Sequence, residues 1–233
     1  MKKQLCLTAD IGGTNTRVAL FDNEKLLESS CVTYSNNEYD SFETIIKNYL
    51  DLVSESSVKF AGIAAAGPIQ EKSAKMTNLS WNLTERSIAS ITGAEQVGII
   101  NDLQAQGYGL TSLDKADLEP VTVGSQRANS NATRLVCGIG TGFNAAPVFN
   151  VGHKIFVPPS EAGHSQLSLT DKNYQPVFAK IGSEGSFVSV EDILSGRGLE
   201  NVGRALTGSD QTAAQIMQKA SQGDENSKKV AHL

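Results

Sequence analysis

A β-prone run at residues 4–10 meets two glycines, Gly12 and Gly13, and a second such run comes at once over residues 16–21. The pattern returns far down the chain: residues 134–138, a turn carrying Gly138, Gly140 and Gly142, then residues 145–149. Strands joined this closely pair antiparallel, because a parallel pair needs a crossover of about a dozen residues or more. The repeat hints at an internal duplication of one hairpin, with slight identity between the copies. Residues 25–34 predict a third strand that extends the first hairpin into a meander.

Beyond the meander the class changes. Phe42, Ile45, Ile46, Tyr49, Leu50 and Val53 recur at helical spacing, with Asp40 and Glu43 giving a capping-box signature ahead of them. Residues 58–66, apolar but for Lys59 and ending at Gly67-Pro68, read as a buried parallel strand reached by a crossover. A helix over 85–91, a strand ending at Asn101-Asp102 and a helix over 103–110 continue an α/β alternation. The polar stretch 124–132 reads as a surface loop, and the chain beyond Val190 as helical and polar.

Composition narrows the function classes. The 233 residues are 39% hydrophobic and 19% charged, ordinary for a soluble globular protein with a real core. The 20 basic and 25 acidic residues give a net charge of -5, against nucleic-acid binding. No run approaches the ~18 apolar residues that span a bilayer, and Met1-Lys2-Lys3 leads straight into a strand without a signal core, so a cytoplasmic protein without membrane partners is expected. Cys6, Cys31 and Cys137 sit apart in apolar runs and are expected as small buried hydrophobes rather than zinc ligands.

Four motifs offer chemistry, each with a plainer alternative. In Asp10-Ile11-Gly12-Gly13-Thr14 the glycines permit positive φ and close approach of a ligand. Successive amides there can form an anion cradle. The Asp10 carboxylate could hold a hydrated Mg²⁺. A plain hairpin turn would carry the same glycines. Gly138-Ile139-Gly140-Thr141-Gly142 repeats the logic but is neither a Walker A motif nor a complete dinucleotide fingerprint. At Asn101-Asp102 a carboxylate could accept a substrate proton, or either residue could cap the next helix, with Asn101 capping while Asp102 faces a ligand. Glu161-Ala162-Gly163-His164 could hydrogen-bond vicinal hydroxyls, although a lone histidine is often structural. Glu191 stands near the start of a helix, where a carboxylate is favoured in any case.

Their order is more specific than any one of them. The segments ADIGGTNTRVAL (9–20), AAAGPI (64–69), MTNLSWNL (76–83), IINDLQA (99–105), GIGTGFNAA (138–146), SEAGH (160–164) and VEDILSGRGL (190–199) occur in a series that resembles the bacterial glucokinase family. The resemblance runs from the first strand to about residue 205. It implies an actin-like (ribonuclease H-like), two-lobe α/β sugar kinase fold, with a small lobe over 1–103 and a large lobe over 104–233. It implies ATP-dependent transfer of a phosphoryl group to the 6-hydroxyl of D-glucose. It implies ATP, Mg²⁺ and D-glucose or a related hexose as partners, and a homodimer is the expected assembly.

Carried over by position, Asp10, Ile11, Gly12, Gly13 and Thr14 belong to the first phosphate hairpin, and Gly140, Thr141 and Gly142 to the second. Asp102 matches the general base, and Asn101, Glu161, His164 and Glu191 match residues that bond the sugar's hydroxyls. A kinase for another hexose, or a non-catalytic sugar sensor, would share these features. A dinucleotide-dependent oxidoreductase rests only on the incomplete glycine pattern at Gly138. Three departures stand out. Asn144 occupies a position where the family usually has glycine, and Arg197 replaces a proline, read as a packing change. Family members also run further, through an adenosine-binding segment, so an incomplete large lobe is expected.

Overall fold

The computed structural model describes residues 4–55, 57–76, 79–122, 129, 132–168, 172–182 and 187–232, with Lys115 described in its backbone alone. The expected loop at 124–132 lies mostly outside these residues. The chain forms two compact units, Met1–Gly109 and Leu110–Leu233. The boundary expected after residue 103 falls inside a helix that closes the first unit.

In the first unit, β1 (Leu5–Ile11) and β2 (Asn15–Asp22) pair antiparallel. The third strand does not form as one piece. Instead β3 (Lys25–Leu26), a single turn at Glu28–Ser30 and β4 (Val32–Ser35) replace it. Ser30 makes the break: its buried Oγ accepts from the Leu20 amide at 2.8 Å and donates to the Leu27 carbonyl at 2.5 Å. Both short strands pair with β2.

Helix α1 (Phe42–Leu52) buries Phe42, Ile45, Ile46, Tyr49 and Leu50, the stripe its spacing predicts. Its N-cap is Ser41, not Asp40: Ser41 Oγ accepts the Thr44 amide at 3.2 Å. The Tyr49 hydroxyl donates to the Ser30 carbonyl at 2.9 Å, fastening the helix to the break in the meander. Burial raises the Tyr49 pKa above its ordinary value, while the Ser30 hydrogen bond opposes that shift.

The chain then crosses to β5 (Phe60–Ala65), parallel to β1 as its unbroken apolar run requires. Next come three short strands the sequence did not disclose: β6 (Ile69–Gln70), β7 (Ser73–Lys75) and β8 (Asn82–Thr84), an antiparallel set of their own. They are too short for alternation to register. Their first turn, Glu71-Lys72, has positive φ at both residues without the glycine or asparagine that usually announces it. Helix α2 (Glu85–Thr92), closed by Gly93 at φ 66, returns the chain to β9 (Gln96–Asn101), parallel to β5. Helix α3 (Asp102–Gly109) ends the unit. The sheet order is β3-β2-β1-β5-β9, with β4 beside β2. Leu7, Ile11 and Ile63 from the strands and Phe42, Ile45, Ile46, Tyr49 and Ile88 from the helices form one core.

The second unit opens with β10 (Arg134–Ile139), β11 (Phe143–Val151) and β12 (Lys154–Phe156), a three-stranded antiparallel sheet. Val136, Ala146 and Val148 are buried on one face, while Leu135, Ile139 (73% exposed) and Phe156 stand exposed on the other. Cys137 lies in register between Leu135 and Ile139 and is exposed, as is Cys31; the expectation of buried thiols holds only in part for Cys6. Among the described residues the unit is completed by helices α4 (Gln175–Ile181), α5 (Gly196–Thr207), α6 (Ala213–Ser221) and α7 (Glu225–Ala231). They enclose a small core of Val177, Phe178, Ile193, Val202, Ile216 and Val230. Among the described residues, no helix is long and apolar enough to cross a membrane.

Candidate functional site

The β1–β2 turn is shaped by a residue that stands outside its motif. Asn36, 2% exposed, donates from Nδ2 to the Gly12 carbonyl at 2.9 Å and from its own amide to the Thr14 carbonyl at 2.8 Å. Its Oδ1 accepts the Thr16 hydroxyl at 2.7 Å. In a planar trans peptide the carbonyl of one residue and the amide of the next point opposite ways. With the Gly12 carbonyl turned in to Asn36, the Gly13 N–H is turned out. The positive φ that glycine permits is used by neither Gly12 nor Gly13. No short local signal marks Asn36, which lies 24 residues from Gly12 and reads in sequence as loop. Asn36→Ala is expected to lower the unfolding free energy by about 1–3 kcal/mol, by stranding buried partners. A urea melt reads this, and an unshifted midpoint would dismiss the network.

Asp10 precedes this turn with its side chain 55% exposed and 3.6 Å from Arg17, its partner across the β1–β2 ladder. No group of three or more His, Cys, Asp or Glu side chains among the described residues could hold a metal. Mg²⁺ often keeps most of its waters and takes only one or two carboxylates. An exposed Asp10 fits that mode and no fuller one.

At the β9–α3 junction the expected division of labour is less clean than the sequence suggested. Asn101 Oδ1 accepts the Leu103 amide at 3.0 Å, and Asp102 Oδ1 accepts the same amide at 2.8 Å. Asn101 Nδ2 also reaches the Gly67 carbonyl at 3.3 Å, linking the junction to the Gly-Pro turn after β5. Asp102 is half-buried, and Oδ2 has no part in this cap.

In the second unit the β10–β11 turn shows the same construction from other parts. The Gly140 carbonyl accepts the Gly196 amide at 2.8 Å, and the Thr141 carbonyl lies 3.4 Å from the Arg197 amide and 3.4 Å from its Nε. The first turn of α5 thus draws both carbonyls toward itself, and the amides of Thr141 and Gly142 face the opposite way. Space matters at Gly142, where a Cβ would lie 2.5 Å from Glu191 Oε2, and not at Gly140, where it would meet nothing within 4 Å.

Glu191 joins this turn to the segment carrying Glu161 and His164. Its Oε2 accepts the Phe143 amide at 2.9 Å, its Oε1 pairs with Arg197 Nη2 at 2.7 Å, and its own amide donates to the Gly163 carbonyl at 2.9 Å. Glu161 precedes and His164 ends the single helical turn Ala162–His164, and both are exposed. The structure therefore gathers Gly140, Thr141, Gly142, Glu161, His164 and Glu191 in the second unit. Asp10, Ile11, Gly12, Gly13, Thr14, Asn101 and Asp102 belong to the first.

The departures acquire physical roles. Arg197 is not a packing change: its side chain is 63% exposed and spans from Glu191 to the Thr141 carbonyl. Asn144, buried in part on β11, bonds to Ser160 and Ala162 on either side of Glu161. Neither role is legible from sequence, because Thr141 lies 56 residues from Arg197, and Ser160 and Ala162 lie 16 and 18 residues from Asn144.

A family model described as glucokinase matches residues 7–232. The glucokinase of Psychromonas ingrahamii is 33% identical over 215 residues, which cover 92% of this chain and 66% of that protein. The glucokinase of Chromohalobacter salexigens is 34% identical over 204 residues, covering 85% of this chain and 62% of that one. This chain thus spans somewhat less than two thirds of the length of these curated relatives. Among solved structures, a glucokinase from an Antarctic psychrotroph superposes with a TM-score of 0.82 at 28% identity, covering 98% of this chain and 74% of that one. A ROK hexokinase from Thermus thermophilus shares the fold at a TM-score of 0.69 and 17% identity, covering 97% of this chain and 72% of that one.

Proposed function

This chain belongs to the glucokinase family, and on that premise we propose that it transfers the γ-phosphoryl group of ATP to the 6-hydroxyl of D-glucose. The observation that carries the reading is the shared construction of the two glycine turns. In each, carbonyls are bonded from behind, so that the amide of Gly13 in one and those of Thr141 and Gly142 in the other face outward, as donors to an anion must.

In this reading Asp10 to Thr14, including Ile11, Gly12 and Gly13, hold phosphate oxygens, as do Gly140, Thr141 and Gly142. Glu161, His164, Glu191 and Asn101 hold the ring hydroxyls. Glu191 and Asn101 are already engaged internally, so they act as oriented acceptors rather than mobile ones. Asp102 takes the proton of the 6-hydroxyl as that oxygen bonds to the γ-phosphorus, and the bond to the bridging oxygen breaks to release ADP. Asp10 would hold a hydrated Mg²⁺, which supplies neutralisation of phosphate charge when bound. A site built to bond hydroxyls rejects analogues lacking them, which supports selectivity for one hexose. A cytoplasmic location, which rests on the sequence reading, and a homodimer, which rests on resemblance, complete the proposal.

A coupled assay with Mg-ATP and a panel of hexoses tests it, with calorimetry alongside. Phosphorylation of D-glucose above the other hexoses is the expected result. Sugar binding without any turnover would replace the kinase by a sensor, and no binding of any hexose would overturn the proposal.

A further inference from the structure

Asn144 is a departure that does more than alter a turn. It sits on β11 directly opposite Gly138, on the same face as the buried Ala146 and Val148. Its Nδ2 donates to the Ser160 carbonyl at 2.6 Å, and its Oδ1 accepts the Ala162 amide at 2.9 Å and the Ala145 amide at 2.8 Å. The Ser160 hydroxyl answers by donating to the Ala145 carbonyl at 2.5 Å.

These partners fix the orientation of the side-chain amide. Two N–H groups face one end and a carbonyl faces the other, so a flipped amide would set donor against donor and acceptor against acceptor. The residue between the two bonded positions, Ser160 and Ala162, is Glu161. Its backbone is therefore held on both sides by one side chain rooted in the strand that leaves the second glycine turn. The Glu161 carbonyl in turn accepts the His164 amide at 3.0 Å, which passes the constraint to His164. Glycine at position 144 would make none of these side-chain bonds, and alanine none either.

We propose that Asn144 is a positioning residue: it sets Glu161 and His164 in register with the β10–β11 turn and so determines how tightly the sugar is held. The role of Glu161 and His164 toward sugar rests on the kinase reading above; the positional role of Asn144 does not.

Two readouts separate these. Asn144→Ala is expected to weaken D-glucose binding about tenfold, the loss of a little more than one ordinary hydrogen bond, while Mg-ATP affinity stays within about twofold. Asn144→Asp keeps Oδ1 for both amides but sets an acceptor against the Ser160 carbonyl, and should fall between parent and alanine. Independently of any ligand, amide hydrogen exchange at Ala162 should accelerate in Asn144→Ala relative to the β10–β11 ladder. Unchanged exchange at Ala162 would overturn the positional role, and equal weakening of sugar and nucleotide would reduce it to general support of the unit. If the parent chain binds no sugar while Asn144→Ala still speeds exchange, the kinase reading falls and the positional role stands.

Discussion

Asp102→Ala is expected to lower the turnover of D-glucose by about 10²–10⁴-fold, the usual contribution of a positioned general base. The fold should survive because the helix start is doubly held: the Leu103 amide keeps Asn101 Oδ1 at 3.0 Å when Asp102 Oδ1 is removed. The loss of stability should stay below about 1 kcal/mol, at the low end for a lost N-cap. Asp102→Asn sharpens the test. It preserves the shape and the Oδ1 acceptor but has no basic oxygen, so it should lose as much turnover as alanine does while melting like the parent. Sugar affinity measured by calorimetry should change little in either variant. Turnover near the parental rate in Asp102→Asn would remove Asp102 from the chemistry.

The second large effect concerns backbone space. At Gly163 a Cβ would be driven into the Phe143 carbonyl oxygen, with the Phe143 carbonyl carbon at 3.1 Å and Glu191 Cβ at 3.4 Å. None of these atoms is the far end of a flexible side chain, so the backbone itself must move. Gly163→Ala is therefore expected to cost about 1–3 kcal/mol, the range for overpacking a close contact. The displacement also pulls on the Glu191 amide, which donates to the Gly163 carbonyl at 2.9 Å, so D-glucose binding should weaken with stability. Gly140→Ala is the control, because a Cβ there meets nothing within 4 Å. Urea denaturation of the two variants side by side decides the matter: equal midpoints would show that the close approach at Gly163 carries no energy.

Periodicity and turn chemistry made much of the architecture legible. The stripe from Phe42 to Leu50 and the unbroken apolar run into Ala65 each admit one element, and both formed. Turn glycines announced the two hairpins, whereas the Glu71-Lys72 turn carries ordinary residues and hid β6, β7 and β8. Ser30 broke a strand that propensity would have continued, through a side-chain bond to Leu20 that no local pattern encodes. The same limit applies at the site. Motifs pointed to Glu161, His164 and Asp102, but the residues that hold the motifs in shape bond across long stretches of chain. Asn36 reaches Gly12, Asn144 reaches Ser160, and Arg197 reaches Thr141. Such groups are ordinary polar residues in sequence, and only their partners give them meaning.

The tied-back carbonyls of the two glycine turns carry one more consequence. Their partners, Asn36 in one case and the opening amides of α5 in the other, belong to the folded chain and not to any ligand. The peptide dipoles are thus oriented by the fold itself, so an anion docking there would require no reorganisation of them. A standing field of this kind would sort ligands by the sign of their charge before it sorts them by shape.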